Sequence, residues 1–195
     1  VGCAPMPTRH GLTVAELASW FASSMENDLP LTQVAMKGYD PTEGPGFGWP
    51  LYQRPWINPS PNAASHNMSR CFPGTVLLEG TPLSEGRGTT VPLEVIGAPD
   101  LPVSDLLTDI AAQVPHWLEG AYIREWYFSP TFHKHVGELC RGLQIHTDHP
   151  GYRHEEFKPY RLIAGLLKAI KRNDPDFELW RHHDYEYELD RIPID

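Results

Sequence analysis

Apolar residues spaced three and four apart mark three helices along this chain. Thr13 and Glu16 stand at the spacing of a capping box, ahead of Leu17, Trp20, Phe21 and Ser24 on one helical face. Leu12 and Leu17 sit where a hydrophobic staple would close the same end. Leu106, Leu107, Ile110 and Val114 predict a second helix over residues 104–114, with Ser104 as its cap and Pro115 as its stop. Tyr160, Ile163, Leu166, Leu167 and Ile170 form the apolar stripe of a third, opened by Pro159 and ended near Asn173. Lys168, Lys171 and Arg172 lie near its C-terminus, where cations are favoured. Short apolar or alternating runs predict strands at 31–36, 76–78, 91–96, 121–128, 142–146 and 177–180. In 121–128 the alternation puts Tyr122, Arg124, Trp126 and Phe128 on one face and Ile123, Glu125 and Tyr127 on the other.

This mixed order of helices and strands predicts an α+β fold rather than a doubly wound sheet: a small mixed sheet with packed helices and long irregular loops. The 20 prolines and 16 glycines among 195 residues agree with a loop-rich chain, long enough for one large domain or two small ones. Many of them fall in the longest irregular stretch, 37–73. Its aromatics, Tyr39, Phe47, Trp49, Tyr52 and Trp56, suit either the apolar face of a sugar or the packing of a loop without regular structure.

Charge removes several classes of function. A net charge of -9 without a basic run argues against non-specific nucleic-acid binding. No apolar run is long enough for a membrane-spanning helix. The chain opens without Met, so its natural start is expected outside this sequence. Cys3, Cys71 and Cys140 lack the close spacing of a zinc site, and three buried thiols are the expectation. His133 and His135, the adjacent His182 and His183, and the looser group His146, Asp148, His149 and His154 show no HExxH pattern. No metal is expected.

Candidate chemistry concentrates in residues 73–99. Glu79, Glu85, Arg87, Thr89 and Thr90 are crowded between two apolar runs, with glycines at 80, 86 and 88. One reading is an exposed hairpin-like connection holding a satisfied Glu–Arg pair; the other is a site presented by a strand scaffold. Glycosidic cleavage uses a proton donor and usually a second carboxylate. Arg87 suits an anionic group, because guanidinium pairs with carboxylate in bidentate fashion. Arg9 and His10 precede the first helix, a position that favours an anion.

The segment LLEGTPLSEGRGTTVPLEVIGAP at 77–99 closely resembles the signature of the DUF1343 family, whose members are described as exo-acting β-N-acetylmuramidases of peptidoglycan recycling. VGCAPMPTRHGLTVAELA at 1–18, SPN at 60–62, FPGT at 72–75 and YEYELDRIPID at 185–195 resemble the same family, so the likeness runs through nearly the whole chain. It implies that residues 1–70 are the tail of an N-terminal domain with a linker, and 71–195 the C-terminal domain. Members are about twice this length and carry a Rossmann-like N-terminal domain; a site in the cleft between the two domains is implied. That missing domain and a peptidoglycan-derived muramyl saccharide are then the partners. Acid-assisted hydrolysis without metal or organic cofactor releases N-acetylmuramic acid from non-reducing ends. Among local carboxylates Glu85 is the first choice for a catalytic role and Glu79 the second, with at least one more carboxylate supplied by the missing domain. Arg87 would take the lactyl carboxylate. His10 would bond the sugar or the same carboxylate, and Asn62, Ser84, Thr89 and Thr90 would contact hydroxyl and acetamido groups. The likeness also implies a periplasmic or extracellular location, although this chain holds no targeting signal. Pro82 and Leu93 depart from the Asn and Phe common at these places in the family. A non-catalytic carbohydrate-binding or structural domain is the alternative.

Overall fold

The computed structural model describes residues 4–24, 30–39 and 55–181. The chain divides into two compact units, residues 1–48 and 49–195. Cys3, Phe47, Trp49, Tyr52, His182, His183 and the Tyr-rich ending lie outside the described residues.

In the first unit α1, Val14–Ser24, starts where the capping box places it. Thr13 N–H donates to Glu16 Oε2 at 2.7 Å, and Glu16 N–H donates to Thr13 Oγ1 at 3.3 Å. The Thr13 backbone N–H foremost, and the Thr13 side chain after it, hold the Glu16 carboxyl below its usual range. The strand expected at 31–36 does not form; described residues 30–39 are exposed and irregular. A strand needs a neighbour to take its backbone hydrogen bonds, and no described strand pairs with this segment.

The second unit packs helices against a three-stranded antiparallel sheet, as expected for an α+β fold. Strands β1 (Val95–Ala98), β2 (Tyr122–Phe128) and β3 (Cys140–His146) lie in the order β1-β3-β2. Val95 faces Gln144 across one ladder, and Tyr122 faces His146 across the other. Helices α2 (His66–Thr75), α3 (Val103–Gln113) and α4 (Pro159–Asn173) complete the unit. Its main core joins Ile96, Leu143 and Ile145 of the sheet to Val103, Leu106 and Ile110 of α3 and the apolar stripe of α4. Leu162 lies in that stripe, whereas Tyr160, expected there, is exposed.

Helix α2 lies inside the stretch expected to be irregular. Ser65 caps it, its hydroxyl accepting from Met68 N–H at 2.9 Å. Pro73, the expected end of the irregular stretch, and Gly74 lie in its last turn. A Cβ at Gly74 would stand 2.2 Å from the Pro159 carbonyl oxygen, so glycine is what lets α2 meet the start of α4. The chain then tightens into a 3₁₀ turn, Val76–Gly80, rather than the expected strand. A three-residue apolar run does not distinguish the two, and Leu78 is buried in the core either way. β1 begins at Val95, not 91, because Leu93 adopts φ 64° and turns the chain before the ladder starts. Helix α3 starts after Pro102 with no side-chain cap; Ser104 Oγ accepts instead from Arg141 Nη2 at 3.3 Å. The terminal strand expected at 177–180 is irregular, although Leu179 is buried. Cys71 and Cys140 are buried, and burial pushes the Cys140 thiol up to about 11.

Candidate functional site

The loop joining the 3₁₀ turn to β1 is fastened by the tip of the β2–β3 hairpin. Thr131 donates to the Gly88 carbonyl through both its N–H and its hydroxyl, each at 2.9 Å. His135 Nε2 donates to the Pro82 carbonyl at 2.8 Å. Between them Lys134 points inward. Its Nζ donates to Leu78 O at 2.6 Å, Leu83 O at 2.8 Å and Glu85 Oε2 at 2.8 Å. An ammonium has three N–H donors, and all three are used. Burial pulls the Lys134 ammonium below its usual range, and the Glu85 carboxylate pulls it back up.

These contacts form a small charged cluster. The Glu85 side chain is 0% exposed and that of Lys134 4%. Glu85 Oε1 lies 3.1 Å from Arg87 Nε and 3.3 Å from His133 Nδ1. The Arg87 guanidinium, 23% exposed, also pairs through Nη2 with Glu79, 39% exposed. His133 is 38% exposed. The cluster thus grades from a sealed ion pair, Glu85–Lys134, through Arg87 to groups in contact with water. Both histidines of the tip take left-handed backbone, His133 at φ 73° and His135 at φ 54°. Non-glycine residues rarely adopt that conformation, and it gathers at functional sites.

The structure therefore brings Glu79, Glu85 and Arg87 together, and adds Lys134 and His133, which the sequence does not single out as site residues. The 133–135 triplet carries histidines on both sides of a lysine at a hairpin tip; spacing alone does not show that it faces residues 78–88. Ser84 is buried, its backbone bridged to Gly97 and its hydroxyl accepting from Gly86 N–H at 3.1 Å. Thr89 Oγ1 donates to Gly86 O at 2.7 Å and accepts from Val91 N–H at 3.2 Å. Thr90 is exposed, and Asn62 is half-buried in a turn. His10 belongs to the first unit, where its Nδ1 accepts from Leu12 N–H at 3.0 Å. Among the described residues no group of three or more His, Cys, Asp or Glu side chains is close enough to hold a metal ion. A surface depression lined by Lys171 and residues 175–180 shares no residue with the cluster. Its Lys171 ammonium is bonded to the Pro175 and Phe177 carbonyls.

A second buried network braces the loop from behind. Glu94 accepts from Ser65 Oγ and, at 2.6 Å, from Asn67 Nδ2. Asn67 Oδ1 accepts from Thr147 N–H and Oγ1, each at 2.6 Å. Neutral donors therefore satisfy this buried carboxylate through short bonds.

Two imidazoles give the protein an acid-side sensitivity. His66 is held below the usual 6.5 by burial and by Arg70. His133 is held below it by burial first, with Lys134, Arg181 and Arg87 adding to that effect and Glu85 opposing. The unfolded chain takes up protons near 6.5 that the folded one refuses. The stability this contributes is full above that pH and is lost as pH falls through the lower folded values. The urea midpoint should hold steady from pH 8 to 7 and decline below about 6.5. His133→Asn should remove part of the decline; a parallel curve for that variant would show that His133 carries none of it.

Residues 70–193 match the family model for the C-terminal part of exo-β-N-acetylmuramidase NamZ, and residues 1–67 match the N-terminal one. Among curated proteins the chain is 37% identical, over 180 residues, to the peptidoglycan β-N-acetylmuramidase NamZ of Bacillus subtilis (strain 168). That alignment covers 91% of this chain and 41% of the relative. A solved DUF1343 structure from Bacteroides fragilis NCTC 9343 superposes at TM-score 0.53 with 20% identity, over 62% of this chain and 30% of that one. A second from the same strain gives TM-score 0.40 and 23% identity, over 65% and 31%.

Proposed function

The chain belongs to the exo-β-N-acetylmuramidase NamZ (DUF1343) family, and from that premise we propose that it supplies part of the saccharide site of a peptidoglycan-active glycoside hydrolase. The reaction is release of N-acetylmuramic acid from non-reducing ends, with this chain forming one wall of the cleft. The matched relative is more than twice as long, which supports a site completed by further sequence. The two family matches, 1–67 and 70–193, support a division near residue 70. Peptidoglycan lies outside the cytoplasmic membrane, which supports a periplasmic or extracellular location.

The observation that carries the reading is the Glu79–Arg87 pair at the surface of the family-matched segment, seated on the buried Glu85. Arg87, its Nε 3.1 Å from Glu85 Oε1, presents a guanidinium to a ligand carboxylate, as muramic acid offers. Such a ligand exchanges places with Glu79, which frees that carboxylate beside the bound sugar. Glu79 is then the local group able to approach a glycosidic oxygen, with its counterpart outside this cluster. Glu85 acts by placing Arg87. Thr90 and Asn62 offer polar contacts, and His10 stays a candidate from the first unit. Ser84 and Thr89 spend their hydroxyls on the loop itself.

The burial of Glu85 favours one second reading, a binding wall that donates no catalytic group. One experiment separates the two: release of N-acetylmuramic acid from a chromogenic muramyl glycoside by the longest polypeptide that the gene encodes. Arg87→Ala should raise KM about tenfold or more for the muramyl substrate, as expected for a lost charged hydrogen bond. An N-acetylglucosaminyl analogue without the lactyl group should be little affected. Equal losses on both substrates would sink the recognition role. Glu79→Gln should lower kcat if Glu79 acts in the reaction; a change in KM alone would leave the binding-wall reading.

A further inference from the structure

Glu85 Oε1 is buried, yet among the described residues it accepts no well-aligned hydrogen bond. A buried carboxylate oxygen left this way calls for an explanation. Two donors stand near it, Arg87 Nε at 3.1 Å and His133 Nδ1 at 3.3 Å. Arg87 is held on its other side by Glu79. His133 is not so tied, and its ring spans from the buried carboxylate to solvent. Its backbone is held left-handed next to Lys134, whose ammonium is locked by three acceptors.

We propose that Glu85 and His133 form a carboxylate–imidazole dyad, in which Glu85 Oε1 fixes the proton on Nδ1 and Nε2 accepts a hydrogen bond from a saccharide hydroxyl beside Arg87. The choice of saccharide rests on the muramidase reading above; the dyad itself does not. A carboxylate can only accept, so a ring donating to it through Nδ1 leaves Nε2 with a lone pair. The loose 3.3 Å approach fits a contact that tightens when a ligand seats, as such bonds commonly do. The charged groups around the ring are Glu85, Lys134, Arg87 and Arg181. Burial first, and the three cations after it, favour the neutral imidazole that this role needs, against the pull of Glu85.

The test is nitrogen-resolved NMR of the histidine side chains in the longest polypeptide that the gene encodes, at pH 7.5, with N-acetylmuramic acid as the added ligand. His133 should show the Nδ1–H tautomer, and its Nε2 resonance should move on titration together with the Arg87 side-chain signal. His133→Asn, which tolerates left-handed backbone, should bind the sugar about tenfold more weakly. Glu85→Gln should shift the tautomer toward Nε2–H. A native His133 in the Nε2–H form would overturn the dyad. Movement of Arg87 with His133 unmoved would overturn its ligand role. If neither signal moves, the muramyl reading falls, and with it the ligand assigned to the dyad.

Discussion

Lys134→Met should cost the fold about 3–5 kcal/mol, the loss typical when one partner of a buried ion pair is removed. Urea or thermal unfolding will read it, as a drop in Tm on the order of 10 °C for a chain of this size. Most of the loss is the Glu85 carboxylate left buried without its cation. The rest is the Leu78 and Leu83 carbonyls, which lose a donor. Lys134→Met combined with Glu85→Leu should recover a large part of the difference, because removing both charges also removes the uncompensated one. If the single and double variants are equally unstable, the pair is not what holds the two loops together. Surface pairs such as Arg153–Glu156 provide the contrast. Their removal should be nearly silent, since exposed ion pairs contribute little.

Gly88→Ala should reduce muramyl-glycoside turnover about 100-fold, the scale expected when a site is misplaced by roughly an ångström. Gly88 has φ 85°, and a Cβ there would stand 2.7 Å from both N and O of Phe132 and 2.8 Å from Thr131 N. All three are backbone atoms, so the hairpin tip must move off the loop. The two Thr131 bonds to the Gly88 carbonyl go with it, and His133 and Lys134 move away from Glu85. Gly137→Ala is the control. It lies in the same hairpin connection at φ 77°, but nothing lies within 4 Å of its added Cβ. It should lose only the left-handed backbone cost, about 1–2 kcal/mol. Similar activity in the two variants would mean that the close approach at Gly88 does not set the site.

Much of the fold was legible because its signals are local. The Thr13–Glu16 box, the stripe of α4 and the alternation of β2 each lie within one element, and each element formed there. The failures have causes outside the local pattern. Pro73 and Gly74 hid α2, because both normally end helices; what calls for glycine at 74 is the approach of Pro159, 85 residues later in the sequence. Leu93, with its left-handed backbone, shortened β1 in a way no propensity predicts. At the site the crowding of Glu79, Glu85 and Arg87 was legible, since nine residues hold them. Lys134 was not, because its partner is 49 residues away and nothing in either neighbourhood points to the other. The loop read as an exposed connection is in fact roofed by a second loop.

That roof sets an order of events during synthesis. The Lys134 bonds span 49 to 56 residues, whereas the strands of the hairpin that carries it pair across much shorter separations. Short loops close first. A nascent chain that has not yet reached Lys134 therefore carries Glu85 as a hydrated carboxylate on an unfastened loop. The arrival of Lys134 gives that carboxylate its cation and fastens the loop, after residues 78–88 have already left the ribosome.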